Sequence, residues 1–267
     1  MARTHLAPLL LLPWLLAMGA CSHAPAQTGS RVMLLGEVHD NDEGHAARLE
    51  LLRARVAAGW RPAVAMEQFD VGQQPALDAA MASCPDAGCV VAKVVAPKSG
   101  WNWEFYRPVI ALALEYQLPL LAANLSRGDA SKVVKDGFAA ALPDALIGRY
   151  ALAALPAALM AAQEAEVRDS HCGMLPEAMV APMARAQIAR DVLMAETVRS
   201  HAASGVVLIA GNGHVRRDIG APYWLRQQGI HDAWAIGFVE DAPAANAFDS
   251  VERVARHQRP DPCAAMR

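Results

Sequence analysis

The chain is poor in aromatic residues and has no surplus of positive charge. Aromatics make up 6% of its 267 residues, which leaves few platforms for stacked bases. Lysine and arginine total 24 against 27 acidic residues, a net charge of −3. The electrostatic footprint of a nucleic-acid-binding protein is therefore missing. Two catalytic signatures are absent as well. There is no Gly-x-Ser-x-Gly elbow, so serine hydrolase chemistry lacks its usual mark. There is no Gly-x-Gly-x-x-Gly, because Gly211-Asn212-Gly213 runs into His214-Val215-Arg216 and fails the dinucleotide pattern. The five cysteines do not have the spacing of a zinc knuckle.

What is abundant is apolar sequence, 54% of the chain and rich in alanine, enough for a sizeable core and favourable to helix. Its first stretch is a targeting segment. Arg3 and His5 precede an apolar run over 6–17, too short to span a bilayer. Met18-Gly19-Ala20-Cys21 then resembles a bacterial lipobox. The reading is a lipoprotein signal peptide over 1–20, lipidation at Cys21, and a flexible tether over 21–31. Ordinary signal-peptidase cleavage near 17–20 is the alternative. Ser22, in place of an aspartate after the cysteine, resembles the pattern that sorts bacterial lipoproteins to the outer membrane, anchored by lipid at its periplasmic face. That compartment permits disulfides. Cys84 and Cys89 flank a compact turn and are the first choice for a local bridge. Cys172 and Cys263 would pair the remainder, although four cysteines allow three connectivities.

Apolar runs over 32–36, 62–66, 119–123, 206–210 and 233–238 read as strands. Helical spacing appears over 42–58, 73–82, 101–116 and 222–228, with the third helix starting near Arg107 because Pro108 follows. Residues 131–203 hold no strand pattern and read as helices broken by Pro143, Pro156 and the 171–176 segment. The fold class is α/β, a mainly parallel sheet flanked by helices, with a small inserted helical subdomain. The α/β domain takes 32–130 and 204–255, the subdomain 131–203, and an irregular tail 256–267.

Two of the strands end alike. Val32-Met33-Leu34-Leu35-Gly36-Glu37-Val38-His39 and Val206-Val207-Leu208-Ile209-Ala210-Gly211-Asn212-Gly213-His214 each close an apolar run with Gly and then His. The carboxyl ends of parallel strands are where open sheets place ligands. Glu37, His39, His45, Glu67 and His214 would thus converge on one edge. There they would hold a divalent metal, perform acid–base work through Glu37, His39, Glu67 and His214, or cap and brace loops. Arg107 is expected to face the same carboxylates. In the helical insert, His171-Cys172-Gly173-Met174 is followed by Met179 and Met183. Such methionines are ordinary core filler, or the lining of a flat apolar pocket suited to iron protoporphyrin. Covalent c-type attachment is excluded, since no Cys-x-x-Cys-His occurs.

The motifs Leu35-Gly36-Glu37-Val38-His39-Asp40, Met66-Glu67-Gln68-Phe69, Trp101-Asn102-Trp103-Glu104-Phe105-Tyr106-Arg107-Pro108, Ala123-Asn124-Leu125, His171-Cys172-Gly173-Met174-Leu175-Pro176, Arg185-Ala186-Gln187-Ile188-Ala189-Arg190-Asp191 and Gly211-Asn212-Gly213-His214-Val215-Arg216 occur in this order. Together they resemble the ChaN-like haem-binding lipoproteins, over about residues 32–240. The resemblance implies haem as cofactor, a role in haem or iron acquisition or storage, and an outer-membrane haem receptor as partner. It also implies a haem-linked homodimer, with a Tyr ligand from one subunit and a His contribution from the other. By position His171 takes the His role and Tyr150, the tyrosine of the insert, the ligand role. Met174 is a further ligand candidate, and Met179 and Met183 flank the porphyrin. At the sheet edge alone the chain is also similar to Tiki-type metalloproteases and erythromycin esterases, which implies a metal-dependent hydrolase as the alternative function.

Overall fold

The computed structural model describes residues 30–261 except 98, together with 1, 263 and 264. Cys21, the rest of the expected signal peptide and the tether through residue 29 lie outside the described residues. The elements run β1 (Val32–Glu37), α1 (Asp42–Ala57), β2 (Ala63–Asp70), α2 (Gln74–Ser83), α3 (Ala87–Val94), α4 (Arg107–Glu115), β3 (Leu120–Asn124), α5 (Arg127–Asp136) and α6 (Asp144–Arg149). They continue with α7 (Ala157–Ser170), α8 (Glu177–His201), β4 (Val206–Gly211), α9 (Asn212–Val215), α10 (Ala221–Gln227), β5 (Trp234–Val239) and β6 (Ser250–Arg253).

The sheet order is β3-β2-β4-β1-β5-β6, and every pairing is parallel. Apolar residues on both sides of the inner strands explain this arrangement, since a parallel sheet must be covered on both faces. Along β1, Val32 and Leu34 join one core cluster with α5 to α8 and α10. Met33 and Leu35 join a second with α1 to α4. The chain moves from β1 outward to β2 and β3, then returns to insert β4 between β2 and β1. That reversal leaves a crevice at the carboxyl ends of β2, β4 and β1.

Four expectations need correction or addition. The helix read over 101–116 begins at Arg107, the start that Pro108 indicated, and the aromatic residues before it fold as a short 3-10 turn, Trp103–Phe105. Residues 87–94 form a further helix, outside the stretches with helical spacing, capped by the Asp86 side chain accepting from Cys89 N–H at 2.8 Å. The edge strand β6 carries the polar sequence Ser250-Val251-Glu252-Arg253 and gave no apolar run to read. Arg107 faces away from the sheet edge, paired to Glu104 at 2.6 Å and 44% exposed.

The helical region 131–203 contains no strand, and its long helix α8 serves two parts of the molecule. Its carboxyl-terminal half packs on β2, β3 and β4. Its amino-terminal half pairs with α7 around the small cluster Val167, Val180 and Ala184. Two disulfides are present: Cys84–Cys89, bridging α2 and α3, and Cys172–Cys263.

Candidate functional site

The register of β1 on β4 sets Glu37 opposite Gly211. That of β2 on β4 sets Met66 opposite Ile209, so Glu67 follows at the same edge. Both carboxylates are buried, at 2% and 6% exposure. Buried carboxylates are tolerated only when their oxygens are partnered, and here they are. On Glu37, Oε1 accepts from Tyr106 O–H at 2.6 Å, from Gln68 N–H at 3.3 Å and from His39 Nδ1–H at 2.8 Å. Its Oε2 is paired with the Arg48 guanidinium, which is itself fully buried. Burial lowers the Arg48 pKa to about 10, still charged at neutral pH. The same network pins His45: Nε2–H donates to the His39 carbonyl at 3.0 Å, and Nδ1 accepts from Arg48 at 2.9 Å. Burial pushes the His45 pKa down, which suits this neutral tautomer. α1 starts where it must to bring His45 and Arg48 in, because the Asn41 side chain caps it by accepting from Gly44 N–H at 2.7 Å.

A second unit stands beside the first. His214, on the short helix after β4, donates from Nδ1 to Asp191 at 2.6 Å. The other Asp191 oxygen accepts from Gln163 at 3.0 Å. His214 Nε2 lies 3.6 Å from Glu67 Oε1, and Glu67 Oε2 accepts the Gly211 N–H at 2.7 Å. Burial raises Asp191 to about 6, against the pull of His214. Burial alone would lower His214, but Asp191 and Glu67 outweigh it and raise the imidazole pKa. Burial likewise opposes ionisation of Glu67, yet His214 and His39 hold it below the usual carboxylate range. Arg190 completes the wall, donating to Asn124 Oδ1 at 2.6 Å and the Leu125 carbonyl at 2.7 Å. Two adjoining cavities of about 560 and 620 Å³ open here, and both are lined by His39, Gln187 and His214. The backbone at Gly211 closes on them: a Cβ there would sit 2.8 Å from His39 Nε2.

The structure therefore brings Glu37, His39, His45, Glu67 and His214 to one edge, as two hydrogen-bonded units. Among the described residues no three His, Cys, Asp or Glu side chains form a group able to hold a metal ion. The physical reason is that Glu37 and His45 have their lone pairs engaged by protein donors. Arg48, Tyr106, Gln68, Asp191, Gln163 and Arg190 belong to the site and were not assigned to it from sequence. Tyr106, Gln68, Arg190 and Asp191 lay within motifs already singled out, and Arg48 lies one turn from His45.

The residues expected to meet haem are divided. His171 caps α7, with Nδ1–H donating to the Val167 carbonyl at 2.8 Å, and Nε2 has no protein partner among the described residues. Met174 and Met179 are 46% and 38% exposed, two of the five large hydrophobic side chains exposed among the described residues. Met183 is partly buried against Val167, Val180 and Ala184. Tyr150 is packed elsewhere, in the core cluster on the sheet. Its O–H donates to Glu196 at 3.0 Å, its ring stands edge-on to Trp224, and burial raises its pKa. The α7–α8 hairpin thus offers a histidine nitrogen beside apolar, polarizable side chains, a donor set that fits iron protoporphyrin.

A family model described as haem-binding uptake, Tiki superfamily, ChaN matches residues 25–225. Among solved structures, the chain is similar to one described as cofacial heme binding to ChaN of Campylobacter jejuni. That alignment has 20% identity, a TM-score of 0.71, and covers 84% of this chain and 87% of the other. An erythromycin esterase mutant in its open conformation aligns at 14% identity and a TM-score of 0.45, over 82% of this chain and 74% of the other. The RRSP effector domain from Vibrio vulnificus aligns at 14% identity and a TM-score of 0.44, over 82% and 34%. Neither of the last two carries an argument about this chain. No curated protein matches it.

Proposed function

This chain belongs to the haem-binding uptake family of the Tiki superfamily, the ChaN family, and from that premise we propose that it binds haem at the α7–α8 hairpin. The observation that carries the reading is a His171 Nε2 with no protein partner among the described residues, on the same turn as the exposed Met174 and close in sequence to the exposed Met179 at the start of α8. Haem, when bound, would supply an iron centre that takes a nitrogen ligand. His171 would provide that nitrogen, held in orientation by the Val167 carbonyl on its other side. Met174, Met179 and Met183 would exclude water from the porphyrin faces, which supplies most of the affinity of so apolar a ligand. Tyr150 stays outside this site, because Glu196 holds its hydroxyl within the core.

An exposed apolar turn also suits pairing of two hairpins across a shared ligand, so haem-linked dimers form part of the proposal. We further propose that lipid on Cys21 anchors the protein at the outer membrane, where it captures or stores haem for iron acquisition, with an outer-membrane haem receptor as its partner. The test is titration of the protein with haemin, followed by the Soret band and light scattering. His171→Ala is expected to weaken binding and shift the band, whereas His39→Ala and His214→Ala leave both unchanged. Loss of haem in the sheet-edge variants, with His171→Ala unaffected, would move the site to the other end of the molecule. Palmitate-analogue labelling that persists in Cys21→Ser would remove the anchor from the proposal.

A second reading is favoured by a separate observation at the sheet edge. Glu37 accepts the His39 Nδ1–H, which leaves Nε2 as a base facing the cavity. His214, held between Asp191 and Glu67, is a proton donor beside it. That is a general-base and general-acid pair for hydrolysis, and it uses residues distinct from the haem hairpin.

A further inference from the structure

The α7–α8 turn is tied to the segment after β6 by the Cys172–Cys263 disulfide, which joins positions 91 apart in sequence. Cys172 directly follows His171. Both Cys172 and Gly173 have left-handed backbones, with φ of 57° and 66°. Their N–H groups donate back to the Asp169 and Arg168 carbonyls at 3.0 and 2.8 Å, which closes the end of α7. Across the turn, Arg168 near the end of α7 also pairs with Glu177 at the start of α8, at 2.5 and 3.3 Å, an exposed pair that holds the tip only weakly. Its apolar cluster has three buried members, and the largest of them is a valine.

The other end of the bridge belongs to a strap across the sheet edge. The Ala255 carbonyl accepts from the Asn41 side chain at 2.7 Å. The His257 N–H donates to Glu240 at 2.9 Å. Arg259 donates to Glu240 at 2.8 Å and to Asp40 at 2.7 Å, and it lines the same cavity as His39 and His214. Asn41 and the Glu240 side chain are buried, and Arg259 grips both Glu240 oxygens, so the strap is anchored at the sheet edge; its further pair to Asp40 is more exposed and holds it only weakly. The disulfide is thus the covalent closure of a ring that runs from the sheet edge, along the strap, to the turn carrying His171, and back down α7.

We propose that the Cys172–Cys263 bridge is a redox lock on the haem-binding turn: closed, it fixes the turn against the strap; opened by a dithiol, it frees both and weakens haem binding. The haem half of this inference rests on the function proposed above. Both cysteines are partly exposed, so a reductant thiolate has access. That thiolate attacks one sulfur and forms a mixed disulfide, and the other cysteine leaves as a thiolate and takes a proton. The second thiol of the reductant then displaces the first cysteine, which is protonated in turn. The protein gains two electrons and two protons, and the dithiol departs as its own disulfide. Cys84–Cys89 joins α2 to α3 across 5 positions and serves as the control bridge.

The experiment compares the full chain with the paired variant Cys172→Ser/Cys263→Ser and the control Cys84→Ser/Cys89→Ser. Haemin affinity is read from the Soret band, and hydrogen exchange is read over 168–176 and 255–261. Opening the lock is expected to weaken haemin binding about tenfold, the effect of populating the competent turn about one tenth of the time. It is also expected to speed exchange in both segments, while the control variant matches the wild type. Reversible reduction of the control variant with dithiothreitol, then reoxidation, should reproduce and undo the effect without relying on the paired variant's folding. Unchanged exchange and unchanged affinity on opening would overturn the lock. If the wild type binds no haemin, the haem reading fails by itself, and exchange over the two segments still decides whether the bridge is a lock.

Discussion

The sheet edge and the α7–α8 hairpin are built on opposite principles. At the edge, Glu37, Arg48, Glu67 and Asp191 are buried charges, each held by named partners drawn from β1, β2, α1, α4, α8 and the turn after β4. At the hairpin, the surface proposed for haem is His171 and the exposed Met174 on a short turn, with the exposed Met179 at the start of α8. A network of buried charges costs a great deal to rearrange, so it suits a polar ligand or reaction needing fixed geometry. Methionine side chains repack cheaply, so the hairpin suits a flat apolar ligand. The helix α8 joins the two regions, with Met179 and Met183 near its start and Asp191 further along. One chain can therefore carry two sites whose residues answer to different tests.

The sharpest way to separate the regions is stability. Arg48→Met leaves Glu37 Oε2 buried with its cation removed. Breaking a buried ion pair from one side costs about 3–5 kcal/mol, the largest effect expected here, and it should show as a lower urea midpoint. No hairpin substitution should approach it. A wild-type midpoint in Arg48→Met would mean that the edge is less tightly coupled than its geometry implies.

A smaller effect separates them by pH. Asp191 and His214 both have folded pKa values raised above the ordinary 3.8 and 6.5. The folded state therefore binds protons more tightly than the unfolded chain, and the associated stability is lost as pH rises. The Asp191 part is lost between 3.8 and about 6, and the His214 part above 6.5, through its raised folded value. His214→Gln should flatten the decline in stability above pH 6.5, measured by denaturation at a series of pH values. Hairpin substitutions that touch no charge should leave that slope as it is.

How far each region could be read from sequence follows the same division. The apolar runs of β1 and β4, each closed by glycine and then histidine, announce a parallel sheet edge, and the family motifs fix its order along the chain. Glu37, His39, His45, Glu67 and His214 were therefore visible. Arg48 was not, because one arginine among the polar residues of α1 reads as solvent-facing until packing shows it at 0% exposure. Asp191 was hidden for a related reason: it lies in α8 beside Ile188, Ala189 and Val192, and only tertiary contact reveals that His214 is its partner. Tyr150 shows the converse failure. Position in the insert offered it as a ligand, while the fold engages it with Glu196 and Trp224. Spacing locates strand ends well, but it carries no information on which helix face meets them.

The smallest stability effect is the most informative about function. Met174→Gln and Met179→Gln change side chains that are already 46% and 38% exposed, so folding stability should move by no more than about 0.5 kcal/mol each. Haem would cover the exposed part. Burying a whole methionine is worth about 1.5–3 kcal/mol, so covering roughly half of one contributes about 1 kcal/mol. By the usual conversion that is about a fivefold loss of haemin affinity for each substitution. The two losses should multiply in the double variant if the side chains contact separate parts of the porphyrin. The check is a haemin titration alongside urea denaturation of the same preparations. Affinity falling with stability unchanged places the ligand on the hairpin; affinity unchanged in both single variants and the double removes these methionines from the haem site, whatever His171→Ala does.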